Sequence, residues 1–110
     1  MRFLFLLYGD PAGEAAMSPD ERRTVLDGHL ALGRELGAAG RLAAAEALGD
    51  GVRVLRADGV VTDGPYAETK EQLGSVYLVD CADAAEALAL ARRMPRSPGL
   101  VVEIRQVLEV

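Results

Sequence analysis

The run Phe3-Leu4-Phe5-Leu6-Leu7-Tyr8 narrows the choice of folds more than any other stretch of this chain. It has no polar side to turn towards water, and Gly9-Asp10-Pro11 stops it. A short apolar segment, rich in aromatics and bounded by turn residues, reads as a central strand buried on both faces of a sheet. The run falls short of the roughly 7–15-residue apolar region of a signal peptide. Nor does any segment approach the roughly 18 apolar residues of a membrane span. The expectation is a cytoplasmic protein with no membrane partner.

A strand of that kind needs helices to cover it. Ser18-Pro19-Asp20-Glu21 is a helix start: Ser18 suits the cap, Pro19 the first helical position, and Glu21 closes a capping box. The helix should run to about Ala39, with Gly40 as its stop. Leu26, His29, Leu30, Gly33, Leu36 and Gly37 fall at helical spacing and predict the face turned to the sheet. Gly33 and Gly37 weaken the helix, and the expected return is close approach to the sheet. His29, the only histidine, sits in that stripe. It reads either as a hydrogen-bonded core residue or as a titrating group in a cleft.

The middle of the chain reads as a meander of short strands over residues 42–62, punctuated by Gly49-Asp50-Gly51 and Ala57-Asp58-Gly59. Then comes Asp63-Gly64-Pro65-Tyr66, a stiff turn: Gly64 tolerates φ > 0, and Pro65 fixes its own φ near −65°. Asp63 either bonds its own backbone in a structural turn or holds a carboxylate in place for chemistry. Residues 67–72 suit one helical turn or an ordered loop, and residues 9–17 a loop. Val76 to Asp80 is a strand, Asp83 caps a helix from Ala84 to about Met94, and Pro95 ends it. The apolar stripe of that helix is Ala84, Ala87, Leu88 and Ala91, and Gly99 to Val110 closes the chain as a strand.

Stripped of the extra hairpin, the order is βαββαβ, a ferredoxin-like α+β sandwich in a single domain over residues 1–110. Two helices on one face of an antiparallel sheet leave the other face bare. Since Phe3–Tyr8 has no polar side, that face predicts a homodimer.

Composition excludes several functions. A net charge of −5, with the adjacent basic pairs only Arg22-Arg23 and Arg92-Arg93, opposes nucleic-acid binding, which needs phosphate neutralisation. One cysteine, Cys81, permits no internal disulfide and fits a reducing compartment; at a strand end it reads as a small filler. With one His and one Cys, a zinc-type site has too few ligands, so neither metal nor cofactor is expected.

The opening Phe3-Leu4-Phe5-Leu6-Leu7-Tyr8-Gly9-Asp10 resembles that of the YCII-related family in its DGPF-type branch. Val61-Thr62-Asp63-Gly64-Pro65-Tyr66-Ala67-Glu68-Thr69-Lys70-Glu71-Gln72-Leu73-Gly74 is similar to that branch's signature, with Tyr66 where Phe is usual. Tyr77-Leu78-Val79-Asp80 and Ala84-Ala85-Glu86-Ala87-Leu88 extend the likeness over the whole chain. The resemblance implies a dimeric α/β barrel built from two ferredoxin-like chains. It also implies a His–Asp pair, as in relatives that dehalogenate chloroaromatics, carried here by His29 and Asp63. His29 would be the general acid/base of a cofactor-free lyase or isomerase, and Asp63 would orient it. Tyr8 would orient a polar small-molecule ligand. Gly64, Pro65 and Tyr66 would form the substrate-binding rim, with Glu68 and Lys70 at its mouth or simply solvated. The alternative is a non-catalytic ligand-sensing or protein-interaction module. It is suggested by relatives encoded beside sigma factors and implies a sigma-factor-linked partner.

Overall fold

A computed structural model describes residues 1–110. The elements in chain order are β1 (Arg2–Gly9), α1 (Pro11–Ala15), α2 (Pro19–Ala38), β2 (Leu42–Ala47), β3 (Arg53–Leu55), β4 (Val61–Asp63), β5 (Gln72–Asp80), α3 (Ala84–Ala91) and β6 (Val101–Gln106). Four strands form one antiparallel sheet in the order β2-β5-β1-β6, and β3 and β4 form a separate two-stranded arm. With the arm set aside, this is the expected ferredoxin-like α+β layout; within one chain the sheet is open and not a barrel.

The apolar run does become a central strand, with β5 on one side and β6 on the other. Burial on both faces does not follow. Strand geometry sends alternate side chains to opposite faces. Phe3, Phe5 and Leu7 are 2%, 0% and 4% exposed, whereas Leu4, Leu6 and Tyr8 remain half-buried on a face that no helix covers. The core lies on the covered side, where Phe3, Phe5, Leu7, Tyr77 and Val79 meet Leu32 and Leu36 of α2 and Ala87, Leu90 and Met94 at α3. Burying a leucine side chain such as Leu36 is worth about 1.5–3 kcal/mol.

Helix α2 starts where its cap predicts. Ser18 Oγ accepts from the Glu21 N–H at 3.1 Å, and Glu21 Oε1 accepts from the Ser18 N–H at 2.9 Å. Its buried stripe is rotated from the expected one. Leu32 and Leu36 are buried, whereas Leu26 and Leu30 are 50% and 51% exposed. Nor do Gly33 and Gly37 mark close approach: a Cβ at either would meet nothing within 4 Å. The close approach is at Gly28, whose Cβ would lie 2.9 Å from Pro95 Cγ. On α3 the buried residues are Ala87, Leu90 and Ala91, while Leu88 of the expected stripe is exposed. Arg41 ties the second half together, its guanidinium meeting Glu86 Oε1 at 2.5 Å and the Asp80 carbonyl at 3.1 Å.

Several segments differ from expectation: α3 stops at Ala91 and not near Met94, and the closing strand spans only Val101–Gln106. Residues 9–17 contain the short helix α1, started by Asp10, whose Oδ1 accepts from the Ala12 N–H at 3.1 Å. Five residues are too few to register as a helical period. The meander divides instead of running on: β2 joins the main sheet, and β3–β4 stands apart. Residues 67–71 form an ordered loop of bends, one of the two forms expected, whereas β5 begins at Gln72, ahead of the expected strand. No helix is long and apolar enough to cross a membrane.

Candidate functional site

The cleft arises from small residues. Opposite the N-terminal half of α2, the edge strand β2 turns Ala45 and Ala47 to the same face as Tyr77 and Ser75 of β5. On α2, Gly33 adds no side chain. The small side chains on both elements leave the space between them unfilled, an open cavity of about 750 Å³. Its apolar wall includes Leu7, Val25, Leu26, Leu30, Leu48 and Leu73. The charged residues lining it are Glu14, Glu46, Asp50 and Arg34, three carboxylates against one guanidinium.

His29 and Tyr77 meet at its wall. The imidazole Nδ1 lies 2.6 Å from the Tyr77 hydroxyl, and the two rings stack at 5.8 Å between centroids, 27° apart. Burial pushes the His29 pKa below its ordinary value and the Tyr77 pKa above its own. Both shifts favour the uncharged forms, so a neutral imidazole faces a neutral phenol at pH 7. In that state one ring nitrogen carries a hydrogen to donate and the other a lone pair to accept.

His29 thus lines a cleft as expected, but its partner in the chain is Tyr77 and not Asp63. Asp63 ends β4 on the arm, its side chain 93% exposed and its carboxylate 3.8 Å from Arg53 Nε. No hydrogen bond or ion pair joins it to His29, and it does not line the cleft. Gly64 follows in the turn, its N–H donating to the Val52 carbonyl at 2.9 Å. Its φ is not positive; glycine is required there because a Cβ would run into the Val52 side chain. The Gly64–Pro65 peptide is cis. Tyr66 is 74% exposed, with the Arg56 guanidinium 5.7 Å from its ring centre. Glu68 is exposed, and Lys70 Nζ lies 3.4 Å from Asp10 Oδ2, beside the cleft residues Gly9 and Pro11. Tyr8 adds to the cleft wall, yet its hydroxyl donates to Glu103 Oε1 at 3.2 Å on the uncovered face of the sheet. Burial and the Glu103 carboxylate both raise the Tyr8 pKa. Of the expected site residues, only His29 and part of Tyr8 line the cleft.

Tyr77 is the cleft residue that the sequence reading passed over. A signal for it existed: alternation along β5 places Tyr77 on the face of Val79, and a phenol on a buried face needs a polar partner. No group of three or more His, Cys, Asp or Glu side chains is gathered anywhere to hold a metal.

Comparison with known proteins agrees with the likeness seen in the sequence. The family model described as the YCII-related domain matches residues 1–110. An uncharacterised protein of Rhizobium meliloti (strain 1021) is 37% identical over 97 residues, covering 84% of this chain and 78% of that protein.

Proposed function

The chain belongs to the YCII-related domain family, and from that premise we propose that the cleft between α2 and the sheet binds a small molecule with which His29 exchanges a proton. Tyr77 holds the ring in place for that exchange. The observation that carries the reading is the 2.6 Å contact between His29 Nδ1 and Tyr77 at the wall of an open cleft of about 750 Å³. Cavities of this size with an apolar wall and a few convergent polar groups are the usual form of small-molecule sites. The reaction class is proton transfer of the lyase or isomerase kind. The Asp63 carboxylate would join His29 only if the arm moved or a second copy supplied it, and Asp63→Asn tests that share separately.

A test begins with an isotope-labelled protein and a library of small carbonyl and phenolic compounds. Binding should perturb the amides of Val25, His29, Leu30 and Ala45 together. For any compound turned over, His29→Gln should lower kcat by about 10²–10⁴-fold, the range for a lost acid or base, with the fold intact. Unchanged turnover in that variant rejects the proton-transfer role.

We further propose that the uncovered sheet face, with Leu4, Leu6, Val76 and Leu78 half-buried on it, meets a second copy of the chain and so completes a two-chain barrel. The alternative reading, an interaction module linked to sigma-factor regulation, draws on the β3–β4 arm, where Leu55 is 71% and Tyr66 74% exposed.

A further inference from the structure

The contact between His29 and Tyr77 has a direction, and the surroundings of its two ends decide it. Tyr77 is only 4% exposed, and its hydroxyl has one hydrogen-bonding neighbour, His29 Nδ1 at 2.6 Å. A neutral phenol always carries a hydrogen to donate. If Nδ1 also carried one, the phenol would have to turn its hydrogen away from its one protein partner, on a side chain only 4% exposed, and the 2.6 Å contact would lose the better-matched donor. If Nδ1 is bare, it accepts that hydrogen, and the imidazole hydrogen resides on Nε2. Nε2 has no protein partner. Since no buried side-chain nitrogen or oxygen is left without one, Nε2 is open to the cleft that His29 lines.

We propose that Tyr77 is a positioning residue that fixes His29 as an Nε2–H donor, and that the resting cleft takes a neutral molecule with a carbonyl oxygen on an apolar body. The proposal rests on the cleft being a ligand site and says how His29 meets the ligand before any transfer: as an Nε2–H hydrogen-bond donor. The charge of the cleft points the same way. Glu14, Glu46 and Asp50 against Arg34 repel an anion, so the oxygen that accepts from Nε2 belongs to an uncharged group.

Nitrogen-15 NMR of the imidazole reads this directly, because the chain has one histidine and hence one set of imidazole signals. At neutral pH the Nδ1 signal should be of the unprotonated kind and Nε2 of the protonated kind, in an excess of at least about ten to one. Tyr77→Phe keeps the packed ring and removes the donor. The Nδ1 signal should then move to that of an unbonded nitrogen, and the imidazole pKa should rise, because the bond to its neutral form is gone. A protonated Nδ1 in the unaltered protein overturns the proposal with no variant needed. So does a Tyr77→Phe protein in which neither the shift nor the pKa moves. Benzamide and benzoate, matched in size, test the ligand class: benzamide should bind at least about tenfold more tightly and shift the Nε2–H signal. Equal or tighter binding of benzoate overturns the ligand assignment. If neither compound nor any library member binds while the Nε2–H form is found, the small-molecule reading falls and the role of Tyr77 in setting the tautomer stands.

Discussion

Two glycines of α2, five residues apart, should respond oppositely to the same methyl group. At Gly33 a Cβ meets nothing within 4 Å, because it projects towards the open cleft. Glycine in a helix interior costs about 1 kcal/mol relative to alanine, so Gly33→Ala should stabilise the protein by nearly that amount. For a domain of this size, 1 kcal/mol corresponds to roughly 4–6 °C in Tm. At Gly28 the added Cβ lies 2.9 Å from Pro95 Cγ and 3.3 Å from Pro95 Cβ, closer than carbon atoms pack. The same helical gain is available there, but forcing a methyl into a filled space costs about 1–3 kcal/mol. Gly28→Ala should therefore be neutral or destabilising by up to about 2 kcal/mol, the difference of these two effects. Chemical denaturation at fixed pH measures both, and equal m-values would show that only native stability changed. Gly33→Leu extends the comparison: it should keep the fold while occupying the cleft and abolishing small-molecule binding. A destabilised Gly33→Ala would mean that the methyl strikes something, and that the space beside Gly33 is not open. A Gly28→Ala protein as stabilised as Gly33→Ala would remove the contact between α2 and the Pro95 segment.

Three further outcomes follow from particular contacts. Burial lowers the His29 pKa in the folded chain below the value of 6.5 for a free imidazole. The unfolded chain therefore takes up a proton first as pH falls. Stability from this group is present above about pH 6.5, is lost as pH drops below it, and levels off once the folded pKa is passed; His29→Gln should flatten that part of a stability–pH curve. Ser18→Ala removes the acceptor for the Glu21 N–H and should cost about 1 kcal/mol by thermal or denaturant unfolding. Leu78→Asp places a charge in the middle of the uncovered sheet face. If two chains meet there, the variant should sediment as a monomer where the unaltered protein sediments as a dimer; a dimer that survives it puts the interface elsewhere.

Much of the fold was legible because local and tertiary signals agreed. The Ser18–Glu21 box, the Asp83 cap and the apolar run of β1 each specify an element without help from the rest of the chain. The phase of α2 was not legible, and the reason lies in the cleft. Leu26 and Leu30 are apolar because they line a cavity, and Leu32 and Leu36 because they fill the core; spacing alone does not separate the two. Gly33 was read as a site of close packing when its role is to leave space. The site was half legible. His29 stood out as the sole histidine on an apolar stripe. Its partner was sought in the conspicuous Asp63-Gly64-Pro65 turn, a rigid segment whose carboxylate lies in solvent beside Arg53. The residue it meets, Tyr77, is carried by an ordinary strand, and only the pairing of β5 with β1 and β2 under α2 brings the two together.

The central requirement is that His29 presents its Nε2–H to an open cleft. Exchange of that hydrogen with water, followed by nitrogen-15 NMR, tests this directly, since one histidine yields one set of imidazole signals. In the folded protein the Nε2–H should exchange with water, at a rate that falls when a bound small molecule fills the cleft. A ring hydrogen that exchanges only after the chain unfolds would contradict it.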